Sequence, residues 1–258
     1  MHPARSALFL DLDGTLAPIV AHPQDARVIG GAHEVLVRLR DYLGIVGFIS
    51  GRGIGDLRRI VDIPGCAYAG NHGFELQLPD RPPTIAAAAE PWLGVIAGLA
   101  EQWDHALDPN PGMYVEPKGA TLSVHWRMAP DPEAAHALLR ERYARDAQRR
   151  GLAVSWGRMV MEVRPPVAVD KGTAVRELLG AGDWRHAAYV GDDHTDADAW
   201  RALHALRDVG SLTTAIAVIA TSPETPAGLL AAADAAVGGP SGVLELLTVL
   251  AHTIADAR

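Results

Sequence analysis

Two aspartates, one residue apart, follow directly on a short apolar run near the start of the chain. The run, residues 7–10, has the length and composition of a buried parallel strand, and Asp11 and Asp13 come immediately after it. In open α/β sheets, ligands bind where the strands end. Adjacent buried carboxylates repel each other and are costly unless a cation neutralises them. The pattern therefore predicts a metal site here, with Mg²⁺ as the ion because it prefers carboxylate oxygens and substrate phosphate.

A simpler interpretation of the same residues is a strand that ends in a turn. Asp13 is followed by Gly14, and this pair is also common turn chemistry. Short motifs of this kind recur without function. The choice between the two interpretations therefore depends on the rest of the chain.

Periodicity predicts a parallel sheet interrupted by a different kind of structure. Strands are predicted over residues 7–10, 44–49, 66–69, 186–190 and 214–219, and helices over residues 31–42, 54–61, 170–179, 196–206 and 240–251. Alternating strands and helices imply parallel pairing with right-handed crossovers. Between these blocks the pattern changes to a helix over residues 85–107, a hairpin within 113–127, a helix over 131–150 and a second hairpin over 152–163. We expect an α/β, Rossmann-like parallel-sheet core formed by residues 1–79 and 166–258, with an inserted α+β cap domain over residues 80–165.

Charge and cysteine content exclude several classes of function. The formal net charge of −8 argues against partners that select basic faces, so we expect no nucleic acid and no membrane surface. The single cysteine, Cys66, rules out an internal disulfide and a cysteine metal site. Asp11 and Asp13 interrupt the first apolar run, and no segment reaches the ~18 apolar residues of a membrane span. We expect a cytoplasmic monomer that acts on a small molecule.

Three further segments place polar groups where strands end or helices begin. Ser50 follows the second predicted strand, and a hydroxyl beside backbone N–H groups suits a phosphate. Lys171 opens a predicted helix and offers a positive charge to a phosphate oxygen. Asp192 follows the strand at residues 186–190 and could complete a magnesium shell. Each alone has an ordinary explanation as a helix cap or a surface charge. Their order along the chain favours a phosphoryl-transfer site.

Together these segments resemble the four motifs of the haloacid dehalogenase superfamily of phosphatases. The resemblance implies that Asp11 attacks phosphorus and that Asp13 serves as general acid and then general base. It further implies a Mg²⁺ ion held by Asp11, the backbone carbonyl of Asp13 and Asp192. The remaining implied roles are phosphate binding and support of the metal shell. Phosphate binding falls to Ser50, Gly51 and Lys171, and orientation of the shell to Asp193 and Asp196.

Other segments resemble trehalose-6-phosphate phosphatases over most of the chain. They are Gly70-Asn71-His72-Gly73-Phe74-Glu75, Glu116-Pro117-Lys118-Gly119, His125-Trp126-Arg127 and Glu162-Val163-Arg164-Pro165. This resemblance implies that the inserted domain is a substrate-specificity lid. Glu116, Lys118, Arg127 and Glu162 would bind glucose hydroxyls, and Asn71 would lie near the phosphate and its sugar. Ala197, where that family often has an acidic residue, departs from the pattern outside the catalytic set.

The predicted function is Mg²⁺-dependent hydrolysis of trehalose 6-phosphate through an aspartyl-phosphate intermediate. One alternative is another sugar-phosphate phosphatase of the same superfamily, acting on sucrose phosphate, glucosylglycerol phosphate or mannosyl-3-phosphoglycerate. A second alternative is a sugar-phosphate sensor without catalysis. The presence of both Asp11 and Asp13 argues against a sensor, which needs no nucleophile beside an acid.

Overall fold

The computed structural model describes residues 3–20, 22–157, 159–180, 182–223 and 225–257. The chain divides into two compact units, one formed by Met1–Thr84 with Val169–Arg258 and the other by Ile85–Ala168. The boundaries predicted from the sequence, after residues 79 and 165, lie a few residues earlier. The second unit is therefore an insertion between the two chain segments that build the first.

The secondary-structure elements are numbered in chain order. The strands are β1 (Ser6–Leu10), β2 (Ile45–Ile49), β3 (Ala67–Gly70), β4 (Glu75–Gln77), β5 (Thr84–Ile85), β6 (Tyr114–Pro117), β7 (Leu122–His125), β8 (Ala153–Gly157), β9 (Val160–Arg164), β10 (His186–Gly191), β11 (Thr214–Thr221) and β12 (Ala235–Gly238). The helices are α1 (Ala32–Tyr42), α2 (Ile54–Ile60), α3 (Leu93–Leu107), α4 (Pro132–Leu138), α5 (Arg145–Arg149), α6 (Lys171–Leu179), α7 (Asp196–Asp208), α8 (Ala227–Leu230) and α9 (Gly239–Asp256).

The first unit contains an eight-stranded sheet in the order β12-β11-β10-β1-β2-β3-β4-β5. The pairs from β12 to β3 are parallel, whereas β4 runs antiparallel to β3. The chain order runs outward in both directions from β1, which lies between β2 and β10. This is the topological switch point where open α/β sheets bind ligands. The predicted α/β core is thus confirmed.

Both faces of this sheet are covered, which explains the uninterrupted apolar run of the first strand. Leu8 and Leu10 of β1 belong to one buried cluster, together with apolar residues of α1, α2 and α9. Ala7 and Phe9 belong to a second cluster that includes residues of α6 and α7. Because successive side chains of a strand point to opposite faces, a strand buried on both faces must be apolar throughout.

The second unit is an antiparallel sheet in the order β6-β7-β9-β8, packed against helices on one face. Its apolar face carries Leu122, Val124, Met161 and Val163, all buried with residues of α3. The other face carries the polar residues of the same strands, as their alternation predicts. The expected α+β arrangement of two helical segments and two hairpins is confirmed.

One local prediction in the second unit was wrong. Residues 85–107 do not form one helix: a short strand and the 3₁₀ turn Ala87–Trp92 precede α3, and Pro91 lies inside that turn. Proline lacks the N–H that a helix interior needs, so the regular helix starts only after it. The helix predicted over residues 131–150 is confirmed: α4, the π-helical segment Leu139–Ala144 and α5 follow one another without a break. Among the described residues, no helix combines the length and the apolar character needed to cross a bilayer.

Candidate active site

Three predicted site residues lie at the carboxyl edge of the parallel sheet, after adjacent strands. Asp11 follows β1, and its backbone N–H donates to the carbonyl of Val190 in β10 at 2.9 Å. Ser50 follows β2 and donates its N–H to the carbonyl of Ala69 in β3 at 2.9 Å. Asp192 follows β10 directly. Parallel pairing of β10, β1 and β2 therefore brings these side chains to one edge.

Lys171 joins this edge because it begins α6, the helix that leads into β10. Its side chain is only 2% exposed, and its Nζ lies 3.0 Å from Oδ1 of Asp11 and 2.7 Å from Oδ1 of Asp196. Burial acts to lower the pKa of Lys171, but the charges of Asp11 and Asp196 outweigh it and raise that pKa above its ordinary value. Lys171 is therefore a buried, protonated ammonium held between two carboxylates.

Asp196 is fully buried, and both of its carboxylate oxygens accept two hydrogen bonds. Oδ1 accepts from Nζ of Lys171 at 2.7 Å and from the hydroxyl of Tyr189 at 2.6 Å. Oδ2 accepts from the backbone N–H groups of Asp192 at 2.9 Å and Asp193 at 3.0 Å. Because a carboxylate offers about four lone-pair sites, this one is saturated by protein donors. These contacts indicate that Asp196 orients the side chain of Lys171 and the loop that carries Asp192.

Asp11, Asp192 and Asp196 form a compact acidic group. Each offers an oxygen within 4.8 Å of an oxygen of the others. Burial and the neighbouring charges of Asp196 and Asp192 raise the pKa of Asp11 well above its ordinary value, although Lys171 acts in the opposite direction. Burial and the charges of Asp196 and Asp193 raise the pKa of Asp192 to about 7. Asp11 and Asp192 are thus carboxylates whose ionisation is disfavoured, and a divalent cation bound to them would relieve the repulsion.

Gly14 allows the side chain of Asp192 to lie close to the loop that follows β1. The residue has a φ of +83°, and a Cβ placed on it would collide with the carboxylate of Asp192. The hydroxyl of Thr15 approaches Oδ1 of Asp192 at 3.4 Å. Glycine is therefore required at position 14 for two reasons: its backbone conformation and the space that the acidic group occupies.

Asp13 is held by Arg52, which the sequence analysis did not include among the site residues. Nε and Nη2 of Arg52 donate to the two oxygens of Asp13 at 2.6 and 2.7 Å, and Nη1 donates to Asp56 at 2.8 Å. Burial acts to lower the pKa of Arg52, but the hydrogen bonds and charges of Asp13 and Asp56 raise it overall. This two-pronged contact fixes the direction of the Asp13 carboxylate.

The loop after β3 is tied to the loop after β2. Asn71 donates its N–H to the carbonyl of Arg52 at 2.8 Å, and His72 donates its N–H to the carbonyl of Ser50 at 2.9 Å. Asn71 and His72 both have positive φ values, 49° and 57°. Non-glycine residues in this conformation are strained and persist where their surroundings fix them, commonly at functional sites. The carboxylate of Glu75 supplies part of that support, because it accepts from the side-chain amide of Asn71 at 2.9 Å and from the N–H of Ile54 at 2.7 Å.

The predicted sugar-binding residues lie in the second unit. Glu116 on β6 accepts from Nε2 of His125 on β7 at 2.7 Å and lies 3.5 Å from Nζ of Lys118. Burial acts to raise the pKa of Glu116, but the hydrogen bond from His125 and the charge of Lys118 lower it overall. Glu162 is half-buried on β9, and Arg127 is exposed just beyond the end of β7. The structure thus brings Glu116, Lys118 and Glu162 onto the polar part of one sheet.

The structure adds partners that the sequence analysis missed. They are Arg52 on Asp13, Tyr189 on Asp196, Thr15 on Asp192 and His125 on Glu116. Arg52 could have been noticed, because it lies three residues after the predicted strand 44–49, close to the edge that carries Asp11 and Asp13. The expectation that Cys66 is not a nucleophile agrees with its environment, since burial raises the pKa of its thiol to about 12.

Sequence comparisons identify relatives of the chain. The sequence model of the family described as trehalose-phosphatase matches residues 9–227. A trehalose-phosphate phosphatase of Mycobacterium leprae is 32% identical over 261 residues, covering 98% of this chain and 59% of that protein. One of Mycobacterium marinum is 37% identical, covering 77% of this chain and 52% of that protein. An uncharacterized glycosyl hydrolase of Mycobacterium tuberculosis is 40% identical, covering 77% of this chain but 15% of that protein. The chain therefore spans between 15% and 59% of the length of these relatives.

Structural comparisons agree on the fold. A trehalose-6-phosphate phosphatase related protein superposes with a TM-score of 0.79 at 22% identity, covering 98% of this chain and 100% of that chain. The C-terminal domain of a trehalose-6-phosphate phosphatase of C. albicans gives a TM-score of 0.74 at 23% identity, covering 97% of this chain and 93% of that chain. At this level of identity the superpositions establish the fold alone.

Proposed function

The chain belongs to the trehalose-phosphatase family, and from this premise we propose that it hydrolyses trehalose 6-phosphate to trehalose and phosphate. The observation that carries the proposal is the buried ammonium of Lys171, which lies 3.0 Å from the Asp11 carboxylate at the switch point of the sheet. A nucleophilic carboxylate and an anionic phosphate ester repel each other unless positive charge is placed between them. The first unit provides that charge where the strands end.

The covalent steps use Asp11 and Asp13. An oxygen of the Asp11 carboxylate forms a bond to phosphorus while the bond from phosphorus to the sugar oxygen breaks, and the departing oxygen takes a proton from Asp13. Water then attacks the phosphorus of the aspartyl phosphate and gives a proton to Asp13, which releases inorganic phosphate and restores Asp11. Covalent catalysis of this kind divides one difficult step into two easier ones. General acid–base catalysis is typically worth about 10²–10⁴-fold.

A divalent cation fits the acidic group, and we propose that it is Mg²⁺. Asp11 and Asp192 would hold it with the backbone carbonyl of Asp13, since both oxygens of Asp196 already accept hydrogen bonds from the protein. When bound, Mg²⁺ supplies positive charge that offsets the repulsion between carboxylates and phosphate. Asp193 and Asp196 position the ligand loop, and Ser50, Gly51 and Lys171 bind phosphoryl oxygens.

We further propose that residues of the second unit recognise the sugar. Glu116, Lys118, Arg127 and Glu162 would bind hydroxyls of the disaccharide, with Asn71 of the first unit near the phosphate. Hydrogen bonds that involve charged groups are the stronger ones. A site built for particular hydroxyls rejects analogues that leave its polar groups unpaired. The role of the second unit as a lid, the monomeric state and the cytoplasmic location stay predictions.

The test is phosphate release from a panel of sugar phosphates, with native protein, Asp11→Asn and an exposed control, Asp62→Asn. We expect a strong preference for trehalose 6-phosphate, loss of turnover in Asp11→Asn and in the presence of a chelator, and normal turnover in the control. Equal or faster hydrolysis of sucrose phosphate, glucosylglycerol phosphate or mannosyl-3-phosphoglycerate would contradict the proposed substrate. Turnover that persists in Asp11→Asn would contradict the proposed chemistry, and a complete lack of phosphatase activity would indicate a sensor.

A further inference from the structure

A row of alternating carboxylates and hydroxyls crosses the polar face of the four-stranded sheet. Strand register pairs Glu116 on β6 with Ser123 on β7, Ser123 with Glu162 on β9, and Glu162 with Ser155 on β8. Residues directly opposite each other on neighbouring strands share a face, with their Cβ atoms about 4.5–5.5 Å apart. Ser123 is therefore flanked by the two glutamates to which the proposed function assigns sugar binding.

Ser123 is the unusual member of this row. Its side chain is 1% exposed, and its Oγ has no hydrogen-bond partner among the residues that the structure describes. Serine is shorter than the glutamates on either side, which accounts for the small exposed area. Buried polar groups without a partner are rare in folded proteins, and each needs an explanation such as a bound ligand or water. An alanine would occupy the same place without this penalty.

The neighbours of Ser123 define which ligand would satisfy it. Glu116 is fixed by His125, whose Nε2 lies 2.7 Å from Oε2, and Tyr114 stacks on the His125 ring with centroids 4.7 Å apart. An ionised carboxylate can only accept hydrogen bonds, whereas a serine hydroxyl can also donate one. A ligand group between Ser123 and a glutamate must accept a hydrogen bond from the serine hydroxyl and donate one to the carboxylate. A sugar hydroxyl does both.

We propose that Ser123 is a specificity-determining residue that donates a hydrogen bond to a sugar hydroxyl of the substrate, while Glu116 or Glu162 accepts the hydrogen of that hydroxyl. The inference rests on the proposed function, because it requires a sugar phosphate as substrate. It adds a neutral donor to a set of charged residues and explains why the centre of the row keeps an unpartnered hydroxyl.

This role predicts that Ser123→Ala affects stability and recognition in opposite directions. Removing a buried hydroxyl without a partner should leave the melting temperature unchanged or raise it. Loss of one hydrogen bond to substrate should raise the KM for trehalose 6-phosphate about 10-fold, with little change in kcat. p-Nitrophenyl phosphate has no sugar, so its hydrolysis should not change. Ser123→Cys keeps the approximate size but is a weak donor, and it should follow Ser123→Ala.

The control is Ser6→Ala, which removes a buried serine hydroxyl at the start of β1 in the first unit and should leave KM for the sugar phosphate unchanged. An unchanged KM in Ser123→Ala would overturn the inference and assign the hydroxyl to an ordered water. If Ser123→Ala hydrolysed p-nitrophenyl phosphate as poorly as it hydrolyses trehalose 6-phosphate, relative to native protein, the inference would be overturned and the variant would have a general structural defect. If native protein prefers another sugar phosphate, the proposal of trehalose 6-phosphate as substrate is wrong. The KM values of native protein and Ser123→Ala for that other sugar phosphate then decide the role of Ser123. If no sugar phosphate is hydrolysed faster than p-nitrophenyl phosphate, both proposals fail.

Discussion

Asp196 lies where only a carboxylate can satisfy all of its neighbours. Its Oδ1 faces the ammonium of Lys171 and the hydroxyl of Tyr189, and its Oδ2 faces the N–H groups of Asp192 and Asp193. An asparagine has the same shape but one of its two terminal atoms is an NH₂ group. Whichever way the amide turns, this NH₂ faces groups that can only donate: either the ammonium or the two backbone N–H groups. We therefore expect Asp196→Asn to be strongly destabilising although it conserves shape.

The size of the effect follows from the contacts that are lost. A hydrogen bond to a charged group contributes about 1.5–3 kcal/mol. In Asp196→Asn, either the bond from Lys171 or the two bonds from the backbone N–H groups become repulsive contacts. Removing one partner of a buried ion pair typically costs about 3–5 kcal/mol, because the other charge is left uncompensated. Relief of the repulsion with Asp11 and Asp192 offsets part of this cost. We expect Asp196→Asn to lower the free energy of unfolding by about 3–4 kcal/mol.

Urea unfolding followed by circular dichroism measures this change, with chelator present so that bound metal does not differ between variants. Tyr189→Phe removes one of the four donors to Asp196 and should cost about 1.5 kcal/mol. Asp208→Asn, at the exposed end of the same helix, should stay within about 0.5 kcal/mol of the native value. The reasoning would be refuted if Asp196→Asn cost less than about 1 kcal/mol, or no more than Tyr189→Phe, at equal denaturant slopes.

Two further predictions concern the first loop and the acid–base residue. Gly14→Ala should weaken Mg²⁺ binding by at least about 10-fold in calorimetry, because the added Cβ would displace the carboxylate of Asp192. The control is Gly210→Ala: Gly210 has a similar positive φ but lies in open space, so this variant should bind Mg²⁺ normally. An equal loss of Mg²⁺ binding in both variants would assign the effect to backbone strain. Arg52→Met should release the Asp13 carboxylate and slow turnover about 10–100-fold, while phosphorylated protein from p-nitrophenyl phosphate accumulates. Arg58→Met, in helix α2 just beyond Arg52, removes a guanidinium that pairs with Asp62 and should behave as native. Normal turnover in Arg52→Met would show that Asp13 needs no such support.

The carboxyl edge of the sheet was predictable because it depends on local sequence. Apolar runs set the strands, and the one or two residues after each run lie at the strand end, so Asp11, Ser50 and Asp192 could be placed together from the sequence. Parallel pairing then fixes their common edge. The position of Lys171 followed in the same way, because a helix that leads into a parallel strand begins at that edge.

Which donor contacts which carboxylate was not predictable, even where a residue such as Arg52 could be placed near the right edge, because these contacts depend on distances across the fold. Asp13 and Arg52 are 39 residues apart in sequence, and Lys171 and Asp196 are 25 apart. No periodicity encodes which donor meets which carboxylate. The two-residue strand β5 and the antiparallel strand β4 were missed for a related reason, since such short strands carry too little pattern to identify them.

Strand β1 has a consequence for biosynthesis. One of its neighbours, β2, leaves the ribosome soon afterwards, but the other, β10, follows only after the whole inserted unit has been made. Until then, one edge of the nascent sheet has no strand beside it, and long-range pairing of this kind forms slowly. During translation the inserted unit, built from one continuous segment, can acquire its native contacts before the unit that surrounds it in the sequence.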